Sequence, residues 1–189
     1  MEGMYNKLPH SVKIKNEKFI INTDFRIFVD FEYEMQEIDR NKAVNNVLKR
    51  FYPAFSVIVE KGYLEEAIDK FIWFYLCGKE EQQVYSSKKG SSKNIFSYKY
   101  DDLYIWGAFK VYCKVDLSNI KLHWWKFKAL WLTIPDEAEF NKIKGYRSYT
   151  GDDKNLKELK EQYKLPITQK ELNGQIRRKA IYDNLMKGG

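Results

Sequence analysis

Few residues in this chain are of the types that carry out enzyme chemistry or bind transition metals. The only histidines are His10 and His123, and the only cysteines are Cys77 and Cys113. A hydrolytic triad needs a nucleophile beside a histidine that a third group orients, and a structural zinc site needs four closely placed ligands. These four residues show neither C-x-x-C nor H-x-x-x-H spacing. We therefore expect no catalytic residues, no metal site and two reduced, buried thiols.

The paired acids of the chain are adjacent in sequence rather than convergent. Asp101-Asp102 stand at the start of a predicted helix, and Asp152-Asp153 stand in a predicted turn. Glycosidases and two-metal enzymes hold their carboxylates so that they face each other across a substrate, so a helix cap and a turn are the simpler interpretations. The sequence also lacks a P-loop and a G-x-G-x-x-G motif. It therefore predicts a protein that is not an enzyme and needs no cofactor.

Three of the five tryptophans lie at positions 124, 125 and 131, in a segment that is predicted to be a buried helix. Neighbouring residues point about 100° apart around a helix axis, so Trp124 and Trp125 cannot fill the same space. One should anchor the core, and the other should meet a neighbouring segment, a partner or solvent. Two stripes at helical spacing support this interpretation. The first comprises Ile120, Trp124, Phe127 and Trp131, and the second comprises Leu122, Trp125, Ala129 and Leu132.

The elements that must position these residues are predicted from hydrophobic periodicity. Alternation over residues 11–22, with a polar turn at Asn16-Glu17, predicts a β-hairpin. Asp136 and Glu139 have the spacing of a capping box for a short helix that Gly145 closes. Helices are predicted over 24–33 (where alternation also fits a strand), 41–52, 64–76 with Gly78 as its cap, 101–113, the tryptophan segment up to Pro135, 136–144, 156–164 and 170–187.

Composition and segment pattern predict a mainly α-helical protein with one compact domain and a tail. Hydrophobic residues make up 44% of the chain and aromatic residues 16%, which is too apolar for a disordered protein. No apolar run is long enough to predict a membrane span, and no signal-peptide core is present, so we expect a cytoplasmic location. The helical domain, opened by the β-hairpin, is predicted over residues 1–149 with a mobile loop at 79–99. Residues 150–189 are predicted to form a polar, basic helical tail.

Five segments between residues 8 and 148 carry a family resemblance. They are residues 8–26, Trp73 to Lys79, Tyr100 to Phe109, Leu122 to Phe127, and Gly145-Tyr146-Arg147-Ser148. In this order they resemble a family from long-tailed phages and prophages of Gram-positive bacteria, named after the fifteenth gene product of a Listeria phage. The resemblance implies a gene in the tail module, between the major tail protein and the tape-measure protein, where tail assembly chaperones are usually encoded. It brings no catalytic or metal-binding residues.

The resemblance implies a tail assembly factor whose partners are the tape-measure protein and the major tail protein of the same phage. A homo-oligomer is a further expectation. We expect the protein in the cytoplasm of the host cell or on the virion, and not at a membrane. The candidate partner-binding residues are two tryptophans, of which the outward-facing one should contact the partner, a Tyr-Arg pair, and part of the polar C-terminal segment of the chain. They are Trp124, Trp125, Tyr146, Arg147, Ile176, Arg177, Arg178 and Ile181.

Two other functions stay open from the sequence. The net charge is +7, and Lys121, Trp125, Lys126 and Lys128 interleave charge with an aromatic ring, as single-strand-binding proteins do. The lysines are otherwise scattered, which is typical of a solvated exterior, so nucleic-acid binding ranks second. A structural component of the virion tail is the third candidate. Such subunits are usually rich in β-structure, whereas this chain predicts mainly helix.

Overall fold

The computed structural model describes residues 8–37, 39–79, 95–168 and 171–173, together with residues 176 and 179. Within them an antiparallel hairpin is followed by helices, so the prediction of a mainly α-helical protein with an N-terminal β-hairpin is confirmed. Among these residues no helix has both the length and the apolar character needed to cross a bilayer. The elements are β1 (Ser11–Ile14), β2 (Glu17–Ile20), α1 (Phe25–Glu37), α2 (Arg40–Phe51), α3 (Phe55–Glu60), α4 (Leu64–Tyr75), α5 (Asp102–Ala108), a π-helical segment (Phe109–Cys113), α6 (Trp124–Trp131), α7 (Glu139–Ser148) and α8 (Lys154–Gln162).

The hairpin pairs β1 and β2 with Val12 opposite Phe19. Its turn residues are Lys15 and Asn16, whose φ angles of 46° and 66° belong to a type I′ turn, the turn that matches the twist of the strands. The turn therefore lies one residue earlier than predicted. Val12 and Phe19 are buried, and β1 packs on α4. This packing gives a two-stranded hairpin the support that it lacks alone.

The centre of the core is a cluster of aromatic rings from α1, α2, α4 and α6. The ring centroid of Phe28 lies 5.9 Å from that of Phe51, 5.5 Å from that of Phe74 and 4.9 Å from that of Trp124. All four side chains are fully buried. Each such aromatic pair contributes about 0.5–1.5 kcal/mol beyond the burial of its area. The helices that carry the two most apolar stretches of the sequence, α4 and α6, therefore share one core.

The helix predicted over residues 101–113 is present, but its second half is π-helical. The segment ends at Lys114, which has a left-handed φ of 57°, and the N–H of Val115 donates to the carbonyl of Phe109 at 3.2 Å. A π-helical turn holds more residues than an α-helical one, so the stripe expected from a period of 3.6 does not continue through it. Phe109 is buried, whereas Tyr112, three residues further along, is exposed.

The tryptophan helix begins later than predicted. Two backbone hydrogen bonds hold the preceding residues in an extended conformation. The N–H of Phe25 donates to the carbonyl of Leu122 at 2.9 Å, and the N–H of Trp124 donates to the carbonyl of Thr23 at 2.8 Å. Ile120 and Leu122 therefore lie before the helix, so both predicted stripes lose their first member.

The predicted loop at 79–99 is only partly inside the described chain, since residues 80–94 lie outside it. At its described end the chain has no regular secondary structure, as predicted, but it packs against the domain. Tyr98 is buried, and the ring of Phe96 lies 5.4 Å from that of Trp131. These aromatic side chains fill space beside α6, so the chain is packed before α5 begins.

The start of α7 also differs from the prediction. The helix runs over Glu139–Ser148 with Ala138 as its N-cap and no side-chain cap, so Asp136 does not open a capping box and Gly145 lies inside the helix. The amide of Asn141 instead donates to the two carbonyls just before the turn, at 3.1 and 2.9 Å. These bonds fix the segment that leads into the helix, but no side chain caps the first backbone N–H groups of α7.

The first helix predicted in the tail is confirmed as α8. Asp153 caps it by accepting a hydrogen bond from the N–H of Leu156 at 2.9 Å. The rings of Tyr146 and Tyr163 stack at 5.8 Å and join α8 to α7. The predicted helix over 170–187 lies largely outside the described residues, and the domain boundary predicted before α8 stays a prediction.

Candidate functional site

The two neighbouring tryptophans of α6 both bind the C-terminal end of α4. The Nε1–H of Trp124 donates to the carbonyl of Tyr75 at 2.9 Å, and the Nε1–H of Trp125 donates to the carbonyl of Phe74 at 2.8 Å. The last carbonyls of an α-helix have no partner within the helix, so the two indoles act as caps. Trp124 is fully buried and cannot contact a partner. Trp125 is the outward-facing one, half-buried with its ring 5.5 Å from that of Trp73.

His123 determines how α6 begins. Its Nδ1 accepts a hydrogen bond from the N–H of Trp125 at 3.1 Å, and its Nε2 lies 3.1 Å from the carbonyl of Pro9. An accepting Nδ1 leaves the proton on Nε2, so Nε2–H donates to that carbonyl. Burial lowers the pKa of His123, although the carbonyl of Pro9 opposes this effect, and the nearby His10 and Lys126 reinforce it. The ring is therefore a neutral N-cap.

Arg147 is held in a buried ion pair with Asp101. Its two terminal nitrogens donate to the two carboxylate oxygens at 2.7 and 2.8 Å, and the side chains are only 9% and 1% exposed. Its Nε also donates to the carbonyl of Tyr163 at 2.6 Å, and a terminal nitrogen donates to that of Ile95 at 3.2 Å. Asp101 thus occupies the N-cap position of α5 as predicted, but its carboxylate binds Arg147 and makes no capping hydrogen bond to the helix. Arg147 joins three segments and is not available to a partner.

Two pairs of the candidate partner-binding residues lie in different parts of the described structure. Trp124 and Trp125 contact the end of α4, whereas Tyr146 and Arg147 contact the segment that ends α8. Ile176 is 57% exposed. The remaining candidates, Arg177, Arg178 and Ile181, lie outside the described residues.

An exposed apolar groove, which we call the α5 groove, runs along α5 and the π-helical segment beside the start of α7. It has a volume of about 260 Å³, and Leu103, Tyr104, Gly107, Val111 and Tyr112 are among its lining residues. Leu103 is 75% exposed and Val111 is 57% exposed. Contiguous exposed apolar surface of this kind marks interaction sites. A signal was available in the sequence, because Leu103, Tyr104 and Val111 make this helix apolar outside its core stripe.

A second concave surface, which we call the basic cleft, lies where α1 and α6 begin. Its volume is about 760 Å³, and its lining includes Leu8, His10, Arg26, Lys121 and Lys126. The sequence points to Lys121 and Lys126 but not to the cleft, because the backbone pairing described above brings the N-terminal lead-in, α1 and the approach to α6 together.

The four residues considered for metal binding do not form a cluster. Within the described residues, no group of three or more His, Cys, Asp or Glu side chains is placed to hold a metal ion. His10 and His123 are in edge contact, with ring centroids 5.3 Å apart. Cys77 and Cys113 are free and half-buried rather than buried, and burial raises the pKa of the Cys77 thiol.

Comparison with known proteins identifies the family. A family model described as bacteriophage Gp15 protein matches residues 4–170, which includes the hairpin, all of α1 to α8 and both concave surfaces. The comparisons with curated proteins and with solved structures found no match. Since the family model covers most of the 189 residues, this chain belongs to the bacteriophage Gp15 protein family.

Proposed function

We propose that this phage protein is a non-enzymatic tail assembly factor that acts in the host cell and binds the tape-measure protein, the major tail protein or both. Membership of the phage family supports a phage role, and the gene position that the resemblance implies supports a role in the tail. The observation that carries the proposal is the exposed α5 groove. A chaperone-like factor needs an apolar surface that its partner can cover, and Leu103 and Val111 provide one.

The shape of the α5 groove suits an amphipathic helix. Leu103, Gly107 and Val111 follow one another at intervals of four, so a residue without a side chain lies between two exposed apolar ones. Tyr104 and Tyr112 are also exposed and line the same groove. Helices that bind in grooves use apolar anchors three, four and seven residues apart. The gap over Gly107 would receive one such anchor.

The expected affinity of a single groove is low. Complete burial of an exposed Leu or Val side chain contributes about 1.5–3 kcal/mol. Covering what is exposed of Leu103 and Val111 would therefore contribute about 3 kcal/mol before the cost of association is subtracted. Micromolar binding requires about 8 kcal/mol, so further contacts or many copies along one long partner are needed. Multiple weak contacts suit a factor that coats the tape-measure protein until the major tail protein polymerises around it.

The test is co-expression with the tape-measure protein of the same phage, followed by affinity capture and size-exclusion chromatography with light scattering. We expect a complex that keeps the tape-measure protein soluble. The double variant Leu103→Asp/Val111→Asp should lose it, because carboxylates in the groove would be buried by the partner. Leu132→Asp/Ile167→Asp is the matched control, since both residues are exposed and lie outside the groove, and the change in net charge is the same. Parallel runs with the major tail protein distinguish the two partners.

A second variant blocks the α5 groove without removing apolar surface. A Cβ added at Gly107 meets no atom within 4 Å, so Gly107→Phe should fill the groove and leave the fold intact. Replacement of a glycine inside a helix also removes a destabilising residue. The proposal is wrong if the tape-measure protein and the major tail protein both fail to bind. It is equally wrong if the filled and charged grooves bind as well as the unchanged protein does.

A further inference from the structure

The basic cleft carries an excess of positive charge. Of the described residues that line it, four are Lys or Arg and one, Asp24, is acidic. Asp24 is already neutralised by Arg26, whose guanidinium lies 3.0 Å from its carboxylate and also donates to the carbonyls of Leu117 and Ile120. Arg50 is paired with Asp30 at 2.6 Å. Two of the four cations therefore have structural or paired roles.

The other two cations, Lys121 and Lys126, are available to a ligand. Both are exposed, and within the described part of the chain neither has an ion-pair or hydrogen-bond partner. They lie on either side of His123, whose buried ring stays neutral and adds no competing charge. The starts of α1 and α6 meet here, and their dipoles add to the positive potential. The cleft thus presents two unpaired ammonium groups on a concave surface.

Part of the remaining lining is apolar, and it lies beside the polar residues His10, Asn22 and Thr23. Leu8 is half-buried and Ile120 is exposed, and both border the cleft beside the lysines. Proteins that hold single-stranded nucleic acid stack bases on exposed aromatic rings. The aromatic side chains among the described lining residues are two imidazoles, and that of His123 is buried. Carboxylates beside aliphatic side chains match this surface better than a chain of phosphates and bases does.

We propose that the basic cleft binds an acidic segment of a partner protein, in which carboxylates contact Lys121 and Lys126 and aliphatic side chains cover Leu8 and Ile120. This site is separate from the α5 groove and does not rest on the proposed function. Its volume of about 760 Å³ lies within the range of about 300–1,000 Å³ typical of ligand pockets. It accommodates a few side chains of such a segment rather than a folded domain.

The test measures fluorescence anisotropy of a short labelled peptide that alternates Glu and Leu, titrated with the purified full-length chain at low salt. A peptide that alternates Gln and Leu and a single-stranded oligothymidylate of equal charge are the comparison probes. We expect binding of the Glu-Leu peptide only, and a loss of about tenfold or more in Lys121→Glu/Lys126→Glu, since charge reversal turns attraction into repulsion.

The matched control is Lys13→Glu/Lys18→Glu. These exposed lysines face each other across the hairpin and give the same change in net charge outside the cleft. Equal losses in the two double variants would overturn the proposal, because they would show attraction to net charge alone. Binding of the Gln-Leu peptide, or no binding of any probe, would also overturn it. Tighter, lysine-dependent binding of the oligothymidylate would assign the cleft to nucleic acid instead.

A measurement on the unchanged protein does not depend on any variant folding. Titration of the Glu-Leu peptide into isotope-labelled protein should shift the backbone amide resonances of His10, Lys121 and Lys126. Shifts confined to the α5 groove, or spread evenly over the surface, would contradict the assignment.

Discussion

Replacement of Arg147 by Met tests whether a buried ion pair holds the C-terminal helices on the domain. The change removes both hydrogen bonds to the carboxylate of Asp101, and with them the bonds to the carbonyls of Tyr163 and Ile95. The Asp101 side chain is 1% exposed, so water cannot replace the guanidinium. What remains at the carboxylate is the N–H of Ser97, which donates at 2.9 Å.

The expected loss in the free energy of unfolding is large. Removal of one partner from a buried ion pair costs about 3–5 kcal/mol, because an uncompensated charge stays buried. Domains of this size are stable by about 5–15 kcal/mol in total. With a urea m-value of about 2 kcal/mol/M, the unfolding midpoint of Arg147→Met should fall by about 2 M. The assay is urea unfolding followed by tryptophan fluorescence.

Two further variants make this prediction specific. Lys157→Met applies the same kind of change to the exposed pair with Asp152, whose atoms are 2.8 Å apart, and should leave the midpoint unchanged because exposed pairs contribute little. The double variant Asp101→Leu/Arg147→Met should be more stable than Arg147→Met, since no charge is left buried. Equal midpoints for Arg147→Met and Lys157→Met would refute the reasoning.

Three other outcomes follow from the contacts around α6. Trp124→Phe removes the indole donor from the carbonyl of Tyr75 and should lower the free energy of unfolding by about 1–3 kcal/mol. Trp125→Phe should lower it less, because the carbonyl of Phe74 still accepts a hydrogen bond from the N–H of Cys77. Urea unfolding compares the two variants, and a larger loss for Trp125→Phe would contradict the capping argument. Since burial lowers the folded-state pKa of His123, the unfolded chain binds a proton first as the pH falls below about 6.5. The urea midpoint of unfolding should therefore decline as the pH is lowered. It should decline less in His123→Asn, which keeps a capping side chain but has no imidazole to protonate. The same dependence of the midpoint on pH in both proteins would refute this prediction. Gly78→Ala should lower the melting temperature more than Gly62→Ala does. Both glycines have a positive φ, but only a Cβ at position 78 would lie 3.1 Å from an atom of Trp125. Equal losses in melting temperature would show that this close approach has no effect.

The local elements could be predicted because each depends on residues near in sequence. Val12 and Phe19 alternate with polar residues, and spacings of three and four put Phe51 and Phe71 on the core faces of α2 and α4. Gly78, at a φ of 76°, ends the turn after α4 as expected. The helix α3 escaped prediction because its six residues, between Pro53 and Gly62, are too few to show a period.

The contacts around the candidate sites could not be predicted, because they join residues far apart in the chain. Trp125 and the carbonyl that it caps are separated by 51 positions, and Asp101 and Arg147 by 46. A Tyr-Arg pair after a helical stripe has the same pattern whether it is a surface contact or part of a buried network. Arg147 is buried because it pairs with Asp101, and nothing near Arg147 in the sequence reveals that pairing.

The sequence alone determined the helical class, the hairpin and the order of the amphipathic elements, since hydrogen bonding and side-chain periodicity within each element are local. The tertiary structure decided which tryptophan enters the core, that Arg147 is buried, and that Leu103 and Lys121 lie on concave surfaces. Burial is a property of the packed whole, so a residue's exposure depends on which distant segment covers it. In this protein the packing of α6 against α1 and α4 buries Trp124, and contacts with Asp101 and the carbonyl of Tyr163 bury Arg147.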